Sequence, residues 1–194
     1  MKPPIHIDPW RVVETTWTPE AHIMSESLFA LGNGRMGHRA NHEEAFSGKH
    51  LNGSYIAGVY YPDKTKVGWW KNGYPEYFAK VLNAVNYVGI DLRVDGEVVD
   101  LYTAKVSDFY RELDMEHGVL TRRFTAALAN GATVTVEAQR FLSIVRDEVS
   151  AQQFRVTVDR AAEVVLEPYL DFNVVNSDAN WDETFWAQEG HGAG

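Results

Sequence analysis

The sequence predicts a mainly all-β fold, an antiparallel β-sandwich with long aromatic loops and little helix, and three observations carry that expectation. Asp95-Gly96 and Asn130-Gly131 each stand between two short runs of alternating residues. Such pairs accept positive φ and form the tight turns whose twist matches paired strands. Around the second turn the alternation is clear, with Ala132, Val134, Val136 and Ala138 lining one face. Aromatic residues make up 12% of the chain, six of them Trp, nine Tyr and nine Phe, a richness that suits sheets and also sugar-binding surfaces.

Taken in order, Ser27 to Leu31 forms a short, mostly apolar stretch that reads as a strand leading into "GNGRMG", Gly32 to Gly37. That hexapeptide has the G-x-G-x-x-G spacing of dinucleotide-binding turns, whose chemistry needs a helix opening on the glycines and an acid about 20 residues on. Neither follows. Met36, His38 and Ala40 alternate with Arg35, Gly37 and Arg39 as a strand would, and Ala57 stands near the place of the acid. Gly32, Asn33 and Gly34, all tolerant of positive φ, are therefore expected to turn a hairpin.

Tyr60 to Val88 is aromatic and weakly periodic, so it is expected to be a long packed loop. Pro75 would suit the first position of a short helical turn over Glu76 to Leu82. From about Asp91 onward strand follows strand: the two turns above, then Phe154, Val156 and Val158 alternating with Gln153, Arg155 and Thr157. A last strand is interrupted by Pro168, as an edge strand or a bulge would be. The pattern breaks off without a closing element, so a truncated sandwich is expected.

The 194 residues fit one domain, taken as 1–194, with a sizeable core. A net charge of −9 opposes binding to nucleic acid. With no cysteine there are no disulfides or thiolate metal sites. The start lacks the apolar run of a signal peptide, and nowhere are 18 consecutive residues apolar, so no membrane partner and a cytoplasmic location are expected.

His38 and His42 would share one face of a helix, but on a strand they lie about 13 Å apart, too far for one ion. No metal site is expected there, and the histidines are read as hydrogen-bonded and partly buried. Glu43 with Glu44, Asp114 with Glu116, and Asp178 with Asp182 and Glu183 are carboxylate pairs of the kind glycosidases use. Nothing in the sequence marks one as desolvated, and solvated charge is the expectation; Arg122 and Arg123 are expected to be a solvated or cross-strand paired spot. No G-x-S-x-G elbow is present. "GWWKNGY", Gly68 to Tyr74, is the best candidate for ligand contact. Trp69, Trp70, Lys71 and Tyr74 bring indole faces and a cation to an irregular segment, although paired tryptophans also serve to pin a loop to a core.

Three separated stretches, "ESLFALGNGRMGHRANHEE", "GSYIAGVYYPD" and "LDMEHGVLTRRF", with "EPYLDFNVVNSD" near the end, resemble the N-terminal domain of glycoside hydrolase family 65. That family includes maltose, trehalose and kojibiose phosphorylases. Arg35 departs from the aromatic residue many members carry, which leaves the substrate open. The resemblance implies a sandwich of the large super-sandwich type before a helical (α/α)6 barrel that holds the active site. There a glutamic acid would protonate the glycosidic oxygen while inorganic phosphate attacks from the opposite face with inversion. Catalytic residues are then expected to be absent from these 194 residues. No cofactor is implied. An α-linked glucose disaccharide, phosphate as co-substrate and the chain's own C-terminal barrel are the implied partners. Self-association into a homo-oligomer is a further expectation for exposed sheet edges. A family hydrolase, a stand-alone carbohydrate-binding module and a mutarotase-like enzyme remain alternatives.

Overall fold

The structure, a computed structural model, describes residues 5–65, 73, 75–176 and 185–187. Its strands are β1 (Ile5–Ile7), β2 (Arg11–Glu14), β3 (Leu31–Gly32), β4 (Met36–His38), β5 (Ser54–Ile56), β6 (Tyr60–Lys64) and β7 (Tyr77–Val81). They continue as β8 (Ile90–Val94), β9 (Glu97–Val98), β10 (Lys105–Asp114), β11 (Val119–Ala127), β12 (Thr133–Leu142), β13 (Ser150–Val158) and β14 (Val164–Pro168). One helix, α1 (His22–Leu28), follows a 3-10 turn over Pro19–Ala21. Every strand pairing is antiparallel, as expected. A six-stranded sheet runs in the order β1-β2-β10-β11-β12-β13, beside smaller sheets β14-β8-β9, β3-β4-β5 and β6-β7.

The large sheet buries one face. Phe124 and Ala126 of β11 and Val134 and Val136 of β12 meet Leu92 and Val94 of β8 and Val99 and Leu101 of the segment after β9. On β10 the alternation contains one extra residue: Ser107 opposes Thr125 and Tyr110 opposes Arg123, so three steps on β10 match two on β11. Asp108, at φ 49°, is the bulged position. The bulge resets the parity, so Val106 before it and Phe109, Arg111 and Leu113 after it all face inward.

The two aspartate- and asparagine-glycine turns form as expected, and they also grip each other. Asp95 and Gly96 take φ 50° and 81°, and Gly131 takes φ 83°. Backbone N–H groups of Ala129 and Asn130 donate to the Glu97 carboxylate at 2.8 Å, and the Asn130 amide donates to the Val94 carbonyl at 2.9 Å. The inner faces of the two sheets are thus tied at one end by their turns. Pro168 closes β14, an edge strand, where its missing N–H costs no ladder bond.

Three expectations are corrected. Ser27 and Leu28 end the helix, and β3 begins at Leu31. The buried stripe of α1 is His22, Ser25 and Glu26, and a helical period carried by polar residues gives no hydrophobic signal. Tyr60 to Val88 contains the β6–β7 hairpin, with Tyr60 opposite Val81 and Lys64 opposite Tyr77, so Tyr77 to Val81 is strand where a helical turn was expected. Aromatic and β-branched residues on both arms outweigh the Pro75 cue, and a two-stranded ribbon leaves Pro62 on an edge. The strand after the first turn stops at His38; Ala40 to Glu44 are five consecutive buried residues, which no alternation permits.

The G-x-G-x-x-G stretch is a hairpin turn between β3 and β4. Of its first three residues, only Gly34 takes positive φ, at 90°. Asn33 holds the turn through its side chain. Its Oδ1 accepts from the N–H groups of Arg35 and Met36 at 3.0 and 2.7 Å. Its Nδ2 donates to the carbonyls of Ser143 and Asp147 at 2.7 and 2.9 Å, which fastens the turn to the β12–β13 connection. Four bonds converge on one amide, so Asn33→Ala should lower unfolding stability by about 2–6 kcal/mol at a net ~0.5–1.5 kcal/mol per bond. Urea denaturation measures it, and a loss under about 0.5 kcal/mol would show that the bridge is replaceable by water.

Candidate functional site

Charged side chains gather where the core should be apolar. Arg111, Arg122 and Arg140 project from β10, β11 and β12 onto the inner face of the large sheet, and Arg111 directly opposes Arg122 across the ladder. Four buried carboxylates answer them: Glu14 from β2, Glu26 from α1, and Glu43 and Glu44 from the irregular segment after β4. Glu43 and Glu44 are 4% and 3% exposed, which corrects the expectation of solvated charge there; Arg122, at 5%, is neither solvated nor paired across strands, since its carboxylate partners come from outside the sheet. Arg123, one residue on, faces outward and is exposed.

Arg122 is the fork at the centre. It donates to Glu44 and Glu43 at 2.5 Å each, while Arg140 donates to Glu43 at 3.2 Å and to the Arg39 carbonyl at 3.1 Å. Burial opposes the Arg122 charge, yet the two carboxylates outweigh it and hold its pKa above the usual arginine value. Arg111 is less well served. Its Nε lies 3.4 Å from Glu14, its guanidinium stacks near the rings of Phe109 and Phe29, and burial pushes its pKa down to about 10. Burial likewise raises the carboxyl of Glu14, against the pull of Arg111 and the Ser25 hydroxyl, which donates at 3.0 Å.

The histidines complete the chain of contacts. His42 Nδ1 lies 3.2 Å from Glu44, its ring packs edge-on to His22 at 4.3 Å between centroids, and His22 Nε2 lies 3.3 Å from Glu26. Trp17 and Phe46 cover both rings. His38 bonds the hydroxyl of Tyr87. All three imidazoles are buried, His38 and His42 deeper than expected, and burial keeps them neutral: His38 falls to about 3, His22 is lowered, and His42 is lowered well below its ordinary value. Among the described residues no group of three or more His, Cys, Asp or Glu is placed to hold a metal ion.

This arrangement does not suit glycoside chemistry. Glu43 and Glu44 share one guanidinium and are sealed from solvent, whereas an acid and its partner must flank a sugar. Asp114 instead organises the β10–β11 turn by accepting from the N–H groups of Glu116 and His117 at 3.0 Å. Asp178, Asp182 and Glu183 lie outside the described residues, as do Trp69, Trp70, Lys71 and Tyr74, the expected sugar contacts. A signal for the buried arginines was present in the sequence: Arg122 shares the parity of Leu120, Phe124 and Ala126, and Arg140 that of Val134, Val136, Ala138 and Leu142.

Breaking the fork should be costly. Arg122→Met leaves two buried carboxylates without their shared partner and should lower stability by about 3–5 kcal/mol, measured by urea denaturation. A loss below about 1 kcal/mol would mean that the carboxylates reach solvent. Acid should also unfold the chain early. Above pH 6.5 the three buried histidines are neutral folded or unfolded; below it the unfolded chain takes protons that the folded chain refuses, so stability falls from 6.5 toward the lower folded values. The imidazoles are faced by Glu26, Glu43 and Glu44 and by Arg111, Arg122 and Arg140. Glu14 acts in the opposite sense, since its raised pKa lets the folded state take a proton first. With at most about 1.4 kcal/mol per pH unit for each histidine, Tm should drop roughly 5–10 °C between pH 7 and 5.5. A flat profile by circular dichroism would contradict the buried neutral state.

Residues 12–191 match the model of the glycosyl hydrolase family 65 N-terminal domain. The chain is 47% identical over 188 residues to a maltose phosphorylase of Bacillus subtilis (strain 168), covering 96% of this chain and 25% of that protein. It is 30% identical over 189 residues to an alpha,alpha-trehalose phosphorylase of Thermoanaerobacter brockii, covering 93% and 24%. A solved structure described as "Putative kojibiose phosphorylase from human microbiome" superposes with a TM-score of 0.80 at 32% identity, over 90% of this chain and 23% of that one. The chain therefore spans about a quarter of the length of these relatives. An antiparallel sandwich with the same sequence signature over nearly its whole length places the chain in glycosyl hydrolase family 65, as its N-terminal domain.

Proposed function

We propose that residues 1–194 form the non-catalytic N-terminal sandwich of an inverting α-glucoside phosphorylase of the maltose phosphorylase type. The observation that carries this reading is the 47% identity to a maltose phosphorylase across 96% of the chain, against 30% to the trehalose enzyme. In this reading the sandwich is a scaffold for a catalytic body supplied by the rest of a longer protein, and it takes no part in bond cleavage. The sealed state of Glu43 and Glu44 supports that division, since the most tempting carboxylate pair is spent on Arg122. Exposed apolar side chains support the role of packing surface: Ile144 and Val145 are 83% and 95% exposed on the β12–β13 connection. Trp69, Trp70, Lys71 and Tyr74 are proposed to contribute to the rim of the sugar pocket.

No helix among the described residues is long and apolar enough to cross a membrane. The reading takes maltose and inorganic phosphate as substrates, no organic cofactor, and the cytoplasm as location. Self-association is proposed as well, in keeping with the exposed apolar side chains.

The test is the reaction of the full-length protein with maltose. Phosphate-dependent release of β-glucose 1-phosphate and one glucose is expected, with the 194-residue chain alone inactive. Two glucoses released at a rate independent of phosphate would replace this reading by a hydrolase. Turnover by the 194-residue chain itself would overturn the scaffold role.

A further inference from the structure

The outer face of the six-stranded sheet is unlike the sealed inner one. Cross-strand registers align its side chains in rows: Glu112, Thr121, Gln139 and Gln153 form one, and Tyr110, Arg123, Glu137 and Arg155 the next. Over β10 to β13 seven of these eight residues, all but Glu112, line a depression of about 360 Å³ together with Arg122 and Ala138. The β10 bulge puts Tyr110 there, because without the extra residue at Asp108 the parity would turn Tyr110 inward. Its hydroxyl donates to Glu112 at 2.5 Å, which orients the ring at one end of the depression.

We propose that this depression is a binding site for a neutral saccharide. The chemistry of these positions selects the occupant. Arg155 is paired with Glu137, Arg122 with the buried Glu43 and Glu44, and the Glu112 carboxylate stands beside the depression on the Tyr110 hydroxyl, so Arg123 belongs to no cluster of uncommitted cations that a phosphate or a nucleic acid would need. Tyr110 is the one apolar surface among them, whereas a protein interface needs an apolar centre. What remains is an inventory of amides, guanidinium, carboxylate and hydroxyl beside one aromatic ring, the groups that pair with ring hydroxyls and stack on a sugar face.

Much of that capacity is unspent. Arg155 donates to Glu137 at 3.1 Å, and the Gln139 amide donates to Thr121 at 3.3 Å, leaving the Gln139 carbonyl available. Arg123 and Gln153 have no side-chain hydrogen bond or ion pair to any described residue. The groups stand on adjacent strands about 4.8 Å apart, held by the longest ladders of the fold. Such a site is pre-formed and shallow, and its affinity is expected to be millimolar.

The inference goes beyond the phosphorylase reading and stands independently of the reaction the full-length protein catalyses. Its test is an NMR titration of the 194-residue chain with maltose and with maltohexaose, following backbone amides of β11 to β13. Saturable shifts at Arg123, Gln139 and Gln153 are expected. The exposed double variant R123A/Q153A, checked for native circular dichroism, should bind about tenfold more weakly, while W69A/W70A should bind unchanged. Absence of saturable shifts, shifts confined to the aromatic loop, or equal affinity in R123A/Q153A would overturn the site and show a merely solvated sheet face.

Discussion

Three guanidiniums on the inner face of one sheet must be neutralised in place, and the arrangement of the first fifty residues follows from that need. Leaving a charge buried and unpaired costs several kcal/mol, far more than any local conformational preference offers. The answering carboxylates come from Glu14, Glu26, Glu43 and Glu44, all upstream of the arginines in sequence. A strand, a helix and an irregular segment are thereby held against β10, β11 and β12 in one arrangement. This explains why the stretch from Arg39 to Gly53 keeps a defined course with no regular secondary structure: its course is set by where Glu43 and Glu44 must reach.

Such a network contributes to specificity more than to net stability. A well-packed apolar core would be as stable or more so, but it would tolerate sliding. Here a one-residue slip of β11 would replace Arg122 by Arg123 on the inner face, but it would also turn Leu120, Phe124 and Ala126 out and Thr121 and Thr125 in, so the ion pair and the apolar face fit together in one register only. The bulge at Asp108 serves the same end on β10. By resetting the parity it brings Arg111 to the inner face opposite Arg122 and Glu14, and Tyr110 to the outer face. One inserted residue thus decides the composition of both faces.

The hairpins around Asp95-Gly96 and Asn130-Gly131 were legible in the sequence because turn chemistry and alternation are local and agree with each other. The β6–β7 hairpin was not, because its two arms are only weakly periodic and Pro75 offered a competing helix cue. Helix α1 was hidden for a different reason: it buries His22, Ser25 and Glu26, and hydrophobic periodicity cannot register a polar buried stripe. The buried charges stand between these cases. Arg122 and Arg140 occupy core parity within otherwise apolar faces, which strand periodicity alone exposes. Their carboxylate partners occupy no periodic position, and their burial follows from a tertiary contact 78 or more residues away.

The two faces of the sheet divide the work in a way that bears on where chemistry takes place. General acid catalysis needs a carboxyl that meets both solvent and substrate, with a pKa tuned near the working pH. The inner face holds carboxyls and imidazoles in abundance, but each is locked to a cation, a ring or another buried group, and the imidazoles are kept neutral by burial. On the outer face the groups are accessible, and the large shift found there, the Tyr110 hydroxyl raised to about 12 by its hydrogen bond to Glu112, moves away from a working pH rather than toward it. A sheet built in this way can bind and can brace. Among the described residues, then, neither face of the large sheet holds a carboxyl that is both open to a substrate and tuned toward a working pH.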